Sequence, residues 1–155
     1  MTRDVNFMVN GRHLTVLAAD DELLCDVLRD KLGRMGTRVG CREGVCGSCN
    51  VLVDGTLVRS CLILAAQVEG SQIRTVEGLS DRGLLSPLQQ AFIDHGAVQC
   101  GFCTSGILIT MTALLEDNPR PTDAEIIETL AGNLCRCTGY QKIVTAVRAA
   151  VGKDT

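Results

Sequence analysis

Apolar residues occupy every second position near the start of the chain, on both sides of an Asn10-Gly11 pair that favours a type I′ turn. The alternating residues are Val5, Phe7, Val9, Leu14 and Val16. Helical spacing of apolar residues follows from residue 21 to 32, and a second hairpin is centred on Asp54-Gly55. Residues 73–76 are a further strand candidate that would complete the sheet. The first half of the chain is therefore predicted to be a small α+β unit.

The second half of the chain shows helical periodicity in four segments. Capping boxes predict that the first and third helices begin at Ser86 and Thr122. The apolar residues of the second and fourth helices are Ile107, Leu108, Met111, Leu114, Leu115, Ile143, Val144, Val147, Ala150 and Val151. A polar, glycine-containing stretch without periodicity separates the two halves. We therefore predict a domain of residues 1–77, a linker of residues 78–84 and a helical domain of residues 85–155.

Charge and composition exclude several classes of protein. The chain has 155 residues with 15 basic and 18 acidic side chains, so its net charge is −3. A net negative charge disfavours binding to nucleic acid or to an anionic membrane. Residues 97–115 form the longest uncharged stretch, but interspersed Gly, Gln, Ser and Thr favour a buried helix over a membrane span. The N-terminus carries no export signal, so we expect a cytoplasmic protein. Nine cysteines, an odd number, then favour metal binding over disulfides.

The first cysteine set has the spacing Cys41-x4-Cys46-x2-Cys49-x11-Cys61, with glycines between the cysteines. C-x4-C-x2-C with a distant fourth cysteine is the plant-type [2Fe-2S] spacing. Glycine permits the tight turns that place several thiolates of one short loop around a cluster and that direct backbone N–H groups at the sulfurs. The alternative is a structural zinc site, which prefers paired C-x2–4-C knuckles. The spacing therefore favours an iron–sulfur cluster.

The second set is Cys100-x2-Cys103-x31-Cys135-x-Cys137, and each pair lies just before a predicted helix. Free N–H groups and the positive dipole end of a helix N-terminus stabilise thiolates, so two facing helix starts could hold four sulfurs around two irons. Taken alone, this set leaves a zinc site open, because C-x2-C is common in zinc sites. Because the first set already indicates an iron–sulfur cluster, we favour iron over zinc at the second set as well. Cys25 belongs to neither set and is predicted to be a small buried hydrophobe within a helix.

Three segments resemble the iron–sulfur subunit of the xanthine oxidase family of molybdenum hydroxylases: residues 40–49 (GCREGVCGSC), residues 99–104 (QCGFCT) and residues 132–140 (GNLCRCTGY). The resemblance extends over residues 4–151. It implies an α+β fold, with a plant-type ferredoxin-like β-grasp domain followed by a four-helix domain, each holding one [2Fe-2S] cluster. It also implies an electron-transfer subunit of a molybdenum hydroxylase complex. In that family electrons pass from a molybdopterin centre through the second cysteine set, then through the first, to FAD.

The resemblance further implies two partner subunits, a large one that binds molybdopterin and a medium one that binds FAD, with Gln99 and Cys137 facing the pterin. One departure is Ser105-Gly106, where the family usually has Pro-Gly; the serine could loosen the first helical turn or cap it. The chain has no dinucleotide-binding motif, so substrate chemistry is assigned to the complex and the substrate stays open. Two alternatives remain: a free-standing two-cluster ferredoxin and a zinc-stabilised interaction module.

Overall fold

A five-stranded mixed sheet forms the first half of the computed structural model, which describes residues 1–152. Its strands are β1 (Thr2–Val9), β2 (Arg12–Ala19), β3 (Asn50–Val53), β4 (Thr56–Arg59) and β5 (Gln72–Arg74). Their order is β2-β1-β5-β3-β4, with β5 parallel to β1 and antiparallel to β3. Both predicted hairpins are therefore confirmed, and the last strand joins them at the centre of the sheet.

A short helical segment packs on this sheet. It begins with one α-helical turn, α1 (Leu24–Asp26), and continues in π geometry over Val27–Lys31. The sequence pattern predicted a helix from residue 21, but Leu23 is extended and pairs with Leu64, which delays the start. The core that the segment and the sheet share consists of Val5, Phe7, Val9, Val16, Ala18, Leu24, Val27, Leu28, Val51, Ala65, Val68 and Ile73.

Four helices form the second half of the described chain: α2 (Pro87–Asp94), α3 (Thr104–Asp117), α4 (Asp123–Leu130) and α5 (Gln141–Ala150). Both predicted capping boxes are present, because Ser86 and Thr122 each accept a hydrogen bond from the N–H three residues on. The main buried residues of this second core are Leu88, Ala91, Phe92, Ile107, Met111, Ile126, Leu130, Ile143, Ala146 and Val147. The predicted α+β fold class is confirmed, whereas the domain boundaries stay a prediction. No helix within residues 1–152 is long and apolar enough to cross a membrane.

The start of α3 packs against the first cysteine loop. Gly106 approaches this loop so closely that a Cβ atom at Gly106 would stand 2.2 Å from the Gly47 carbonyl oxygen. The buried Asn50 Nδ2 donates to Thr110 Oγ1 over 2.7 Å, and Thr110 Oγ1 donates to the Gly106 carbonyl over 2.8 Å. Helix α3 therefore connects the helical half of the molecule to the loop that carries the first cysteine set.

Candidate metal centres

Backbone N–H groups surround the sulfur of Cys41 in the first cysteine loop. The N–H groups of Glu43 and Cys46 each lie 3.4 Å from this sulfur, and that of Val45 also donates to it. These donors, Cys46 foremost, lower the pKa of Cys41 to about 6, which favours the thiolate near neutral pH. Gly44 has a φ of +74°, a conformation that side chains disfavour, and this sharp turn gives the loop its curvature.

The other half of the first site is buried. Cys49 and Cys61 are 2% and 3% exposed, and their thiols share a hydrogen bond. Burial raises the pKa of Cys61 to about 11, although the Gly44 N–H donates to its sulfur. Ser60 Oγ donates to the Cys49 carbonyl over 2.6 Å, which ties the segment after β4 to the loop. The thiols of the first site therefore meet as one partly exposed pair and one buried pair.

The second site is open at the surface on one side. Cys100 and Cys137 are both exposed, and the Cys137 thiol donates to the Cys100 sulfur over 3.5 Å. The Phe102 N–H lowers the pKa of Cys100, whereas the hydrogen bond to Cys100 raises the pKa of Cys137. The pKa values of the two outer thiols are therefore shifted in opposite directions.

The inner pair of the second site lies at the start of α3. Cys103 occupies the N-cap position, and burial raises its pKa to about 12. Its thiol shares a hydrogen bond with Cys135. Burial also acts to raise the pKa of Cys135, but hydrogen bonds from Thr138 contribute to a net lowering. Tyr140 accepts from the Cys135 N–H over 2.8 Å and donates to the Asn133 carbonyl over 2.9 Å, which holds the loop before α5.

The eight thiols of the two sets thus form four close pairs, an arrangement that fits two [2Fe-2S] clusters. Each iron of such a cluster takes two thiolates, and N–H groups directed at the sulfurs stabilise their charge. Within residues 1–152, no group of three or more His, Cys, Asp or Glu side chains is placed to hold a single metal ion. The donor set and its hydrogen bonds therefore suit the cofactor that the spacing predicted.

Gln99 and Cys25 lie in opposite surroundings. Gln99 directly precedes Cys100 and is exposed beside the outer pair of the second site. Cys25 is fully buried, as predicted, and burial raises its pKa to about 12. It packs against Cys49 and Cys61, a neighbourhood that the sequence did not reveal.

Ser105 does not cap α3. The N-cap position receives no side-chain hydrogen bond, and Ser105 Oγ is buried without a hydrogen-bond partner among residues 1–152. Of the two roles expected for this serine, capping is therefore wrong, because its hydroxyl reaches no N–H group of the helix start.

Hydrogen bonds from residues other than the cysteines join the two sites, and no spacing rule identifies these residues. The Leu134 N–H donates to the Cys46 carbonyl over 2.9 Å, and Asn133 Nδ2 donates to the Gly47 carbonyl over 3.1 Å. Arg59 donates to carbonyls on both sides of the same junction. A polar residue within two positions of a cysteine is the one sequence signal that could have indicated them.

Family models match both halves of the chain: a 2Fe-2S iron-sulfur cluster binding domain over residues 7–86 and a [2Fe-2S] binding domain over residues 75–148. The nicotine 6-hydroxylase small subunit of Paenarthrobacter nicotinovorans is 57% identical over 97% of this chain and 90% of its own length. The xanthine dehydrogenase iron-sulfur-binding subunit of Escherichia coli O157:H7 is 48% identical over 94% of this chain and 92% of its own. The crystal structure of quinoline 2-oxidoreductase from Pseudomonas putida 86 superposes with a TM-score of 0.94 at 46% identity, covering 98% of this chain and 94% of that chain.

The fold and the two family matches define an iron–sulfur protein with two [2Fe-2S]-binding domains. The relatives that it matches over nearly their whole length are subunits of hydroxylases and dehydrogenases. The chain belongs to the iron–sulfur subunits of the xanthine oxidase family of molybdenum hydroxylases. It is thus the electron-transfer subunit of an oxidoreductase, and a free-standing ferredoxin is not favoured.

Proposed function

We propose that each four-cysteine site ligates one [2Fe-2S] cluster and that the chain conducts electrons between a large subunit that binds molybdopterin and a medium subunit that binds FAD. The proposed ligands are Cys41, Cys46, Cys49, Cys61, Cys100, Cys103, Cys135 and Cys137. The meeting of these thiols as four pairs carries the proposal. When bound, the clusters supply one-electron storage and transfer. The chain itself holds the sulfurs and stabilises their charge with N–H and hydroxyl donors.

The second site is the one that we place against the molybdopterin subunit. Its outer cysteines are exposed, and Gln99, which directly precedes Cys100, is exposed as well. Val98, two residues before Cys100, is 42% exposed, and Phe102, two residues after it, is 45% exposed, with its ring close to Gly40 of the first loop. Exposed apolar side chains that surround a polar redox site are typical of a surface that a partner covers. We therefore propose that Gln99 and Cys137 face the pterin, with the Gln99 amide as a hydrogen-bonding group.

The first site is the one that we place toward the FAD subunit. Val45, within the cysteine loop, is 59% exposed, and Leu62, directly after Cys61, is 58% exposed. A Cβ at Gly44 would stand 2.4 Å from Leu62 Cδ1, so this leucine lies over the loop. A second apolar surface therefore adjoins the partly exposed Cys41–Cys46 pair. Two redox sites, each with its own apolar surface, support a chain that connects two partners.

We place the assembled complex in the cytoplasm. Within residues 1–152 all nine cysteines are free, and a reducing compartment keeps such thiols available for cluster insertion.

The decisive test of the ligand assignment is a cofactor count on the purified chain. We expect about four iron and about four acid-labile sulfide per chain, and two distinguishable EPR signals after reduction with dithionite. A single EPR signal would contradict the two-cluster proposal. Zinc as the bound metal would contradict the assignment of both sites.

Gln99 tests the proposed pterin contact. In the assembled complex, Gln99→Ala should slow reduction of the clusters by substrate and leave their reduction by dithionite unchanged, because Gln99 is not a proposed ligand. Loss of one buried hydrogen bond costs about 1–3 kcal/mol, which suits a measurable decrease in rate. Gln90→Ala is the matched control, since Gln90 is an exposed residue of α2 whose side-chain amide donates to Asp94 within the same helix. Equal rates in Gln99→Ala and wild type with both reductants would contradict the contact.

A further inference from the structure

Arg59, the last residue of β4, joins the two cysteine sites through three hydrogen bonds. Its Nε donates to the Gly44 carbonyl over 3.1 Å, its Nη1 to Asn50 Oδ1, and its Nη2 to the Gly132 carbonyl over 2.7 Å. Gly44 and Asn50 belong to the first cysteine loop and its continuation, whereas Gly132 begins the segment that leads to the last two cysteines. A rigid guanidinium fork suits such a role, because its donors leave in fixed directions.

The contact with Gly44 reaches a cysteine sulfur through a single peptide unit. The carbonyl of Gly44 and the N–H of Val45 belong to the same peptide, and this N–H donates to Cys41 Sγ. A charged donor on the carbonyl polarises the peptide and makes its N–H a stronger donor. Arg59 therefore acts on the sulfur of Cys41 without touching it.

The positive charge of Arg59 is not neutralised by a carboxylate. All three acceptors are neutral, the side chain is partly buried, and it forms no salt bridge with residues 1–152. Partly buried charges usually have a counter-charge nearby. Arg42 shows the contrast: it adjoins Cys41 in sequence, but its guanidinium binds both carboxylate oxygens of Asp26, at 2.7 and 2.9 Å. The unneutralised arginine at the junction is thus Arg59.

We infer that Arg59 is a positioning residue that holds the two sites at a fixed separation and raises the reduction potential of the first cluster more than that of the second. This inference rests on the proposed function. A [2Fe-2S] cluster with four thiolates is anionic and gains one further negative charge on reduction, so a nearby unpaired cation favours the reduced form. Arg59 contacts two residues of the first loop, but only Gly132 on the other side, three positions before Cys135. Electrons at the second site are therefore drawn toward the first.

The test is an EPR-monitored redox titration of both clusters in the reconstituted chain and in the complex. Arg59→Gln should shift both midpoint potentials to more negative values, with the larger shift at the first cluster. Arg59→Lys keeps the charge but cannot reach all three acceptors, so its midpoint potentials should lie between those of wild type and of Arg59→Gln. Arg74→Gln is the matched control, because Arg74 also connects the two halves, through Glu116 at 2.6 Å, but its charge is already neutralised. The midpoint potentials of both clusters in Arg74→Gln should equal the wild-type values.

Three outcomes would overturn the inference: unchanged potentials in Arg59→Gln, potentials in Arg59→Lys that equal those of wild type or of Arg59→Gln, or a shift in Arg74→Gln as large as that in Arg59→Gln. If Arg59→Gln fails to retain its clusters, Arg59→Lys decides alone: a negative shift that is larger at the first cluster supports the inference, and unchanged potentials contradict it. Failure of the proposed function looks different, because wild-type chain would then show fewer than two EPR signals before any variant is compared.

Discussion

The two cysteine sites hold equal numbers of thiols by different backbone arrangements. The first takes three cysteines from residues 41–49 and the fourth from the segment after β4. The second takes two cysteines from just before α3 and two from just before α5, with 31 residues between Cys103 and Cys135. In the first, sharp loop turns direct N–H groups at Cys41; in the second, the Thr138 and Tyr140 hydroxyls assist the helix starts. The first site is therefore a property of local sequence, and the second is a property of tertiary packing.

The sites also differ in which pair faces outward. Cys100 and Cys137 are exposed, whereas every cysteine of the first set is partly or fully buried. Solvent access influences the reduction potential of a cluster. We therefore propose that a partner subunit covers this exposed pair. The first site is thus largely enclosed within the chain, whereas the exposure of the second site supports the proposed contact with a partner subunit.

Removal of a ligand should have the largest effect and should separate the two sites completely. Cys46→Ala should abolish the first cluster, leave about two iron per chain and retain one EPR signal, since each cluster holds two irons. The backbone carbonyl that binds the Leu134 N–H survives the substitution, so the second cluster should stay. Cys103→Ala should give the reciprocal result. Iron analysis and EPR on each variant measure which clusters remain. Loss of both clusters from Cys46→Ala or from Cys103→Ala would show that the sites are not independent.

The matched control for these variants is Cys25→Ala. Cys25 packs against Cys49 and Cys61 and is as buried as a cysteine can be, yet it is outside both sets. The Cys25→Ala variant should retain full iron content and both EPR signals. Its free energy of unfolding should fall by about 1 kcal/mol, which is below the usual large-to-small cost because cysteine is small. Selective loss of iron here would contradict the ligand assignment.

The next largest effect should come from a substitution of Gly106, where the start of α3 packs closely against the first cysteine loop. In Gly106→Ala the new Cβ meets the Gly47 carbonyl oxygen at 2.2 Å, and neither side is a flexible side chain. Overpacking costs about 1–3 kcal/mol, more than the roughly 1 kcal/mol that alanine gains over glycine within a helix. We expect a lower urea midpoint and altered EPR signals from both clusters. An unchanged midpoint would mean that α3 and the loop separate easily.

Sequence reasoning reached the parts of this molecule that local rules determine. Alternation located the first hairpin, capping boxes located the starts of α2 and α4, and spacing identified the first cysteine set. It could not show that β5 lies at the centre of the sheet, because strand order depends on long-range pairing. Nor could it find Arg59, whose role arises only where three distant segments meet.

Tyr140→Phe should affect the second site alone. The hydroxyl accepts from the Cys135 N–H and donates to the Asn133 carbonyl, so its removal leaves two backbone groups unpaired in a partly buried loop. The expected loss is about 1–2 kcal/mol, with an altered second EPR signal and an unaltered first. Thr145→Val is the control, since it removes a hydroxyl of α5 that donates to the Gln141 carbonyl in the preceding turn. A change in the first signal would show that the hydroxyl couples the sites.

The smallest effect, and the only stabilising one, should come from Ser105→Ala at the start of α3. The serine hydroxyl is buried without a partner among residues 1–152, so deleting it removes an unsatisfied group and adds a better helix former. We expect a gain of about 0.5–1 kcal/mol in the free energy of unfolding, with both EPR signals unchanged. Ser105→Pro should also be tolerated, because the first helical turn leaves N–H groups without intrahelical acceptors. A loss of stability in Ser105→Ala would mean that the hydroxyl has a hydrogen-bond partner. The second site would then depend on the Ser105 side chain at the start of α3, just as the first site depends on the turns of its loop.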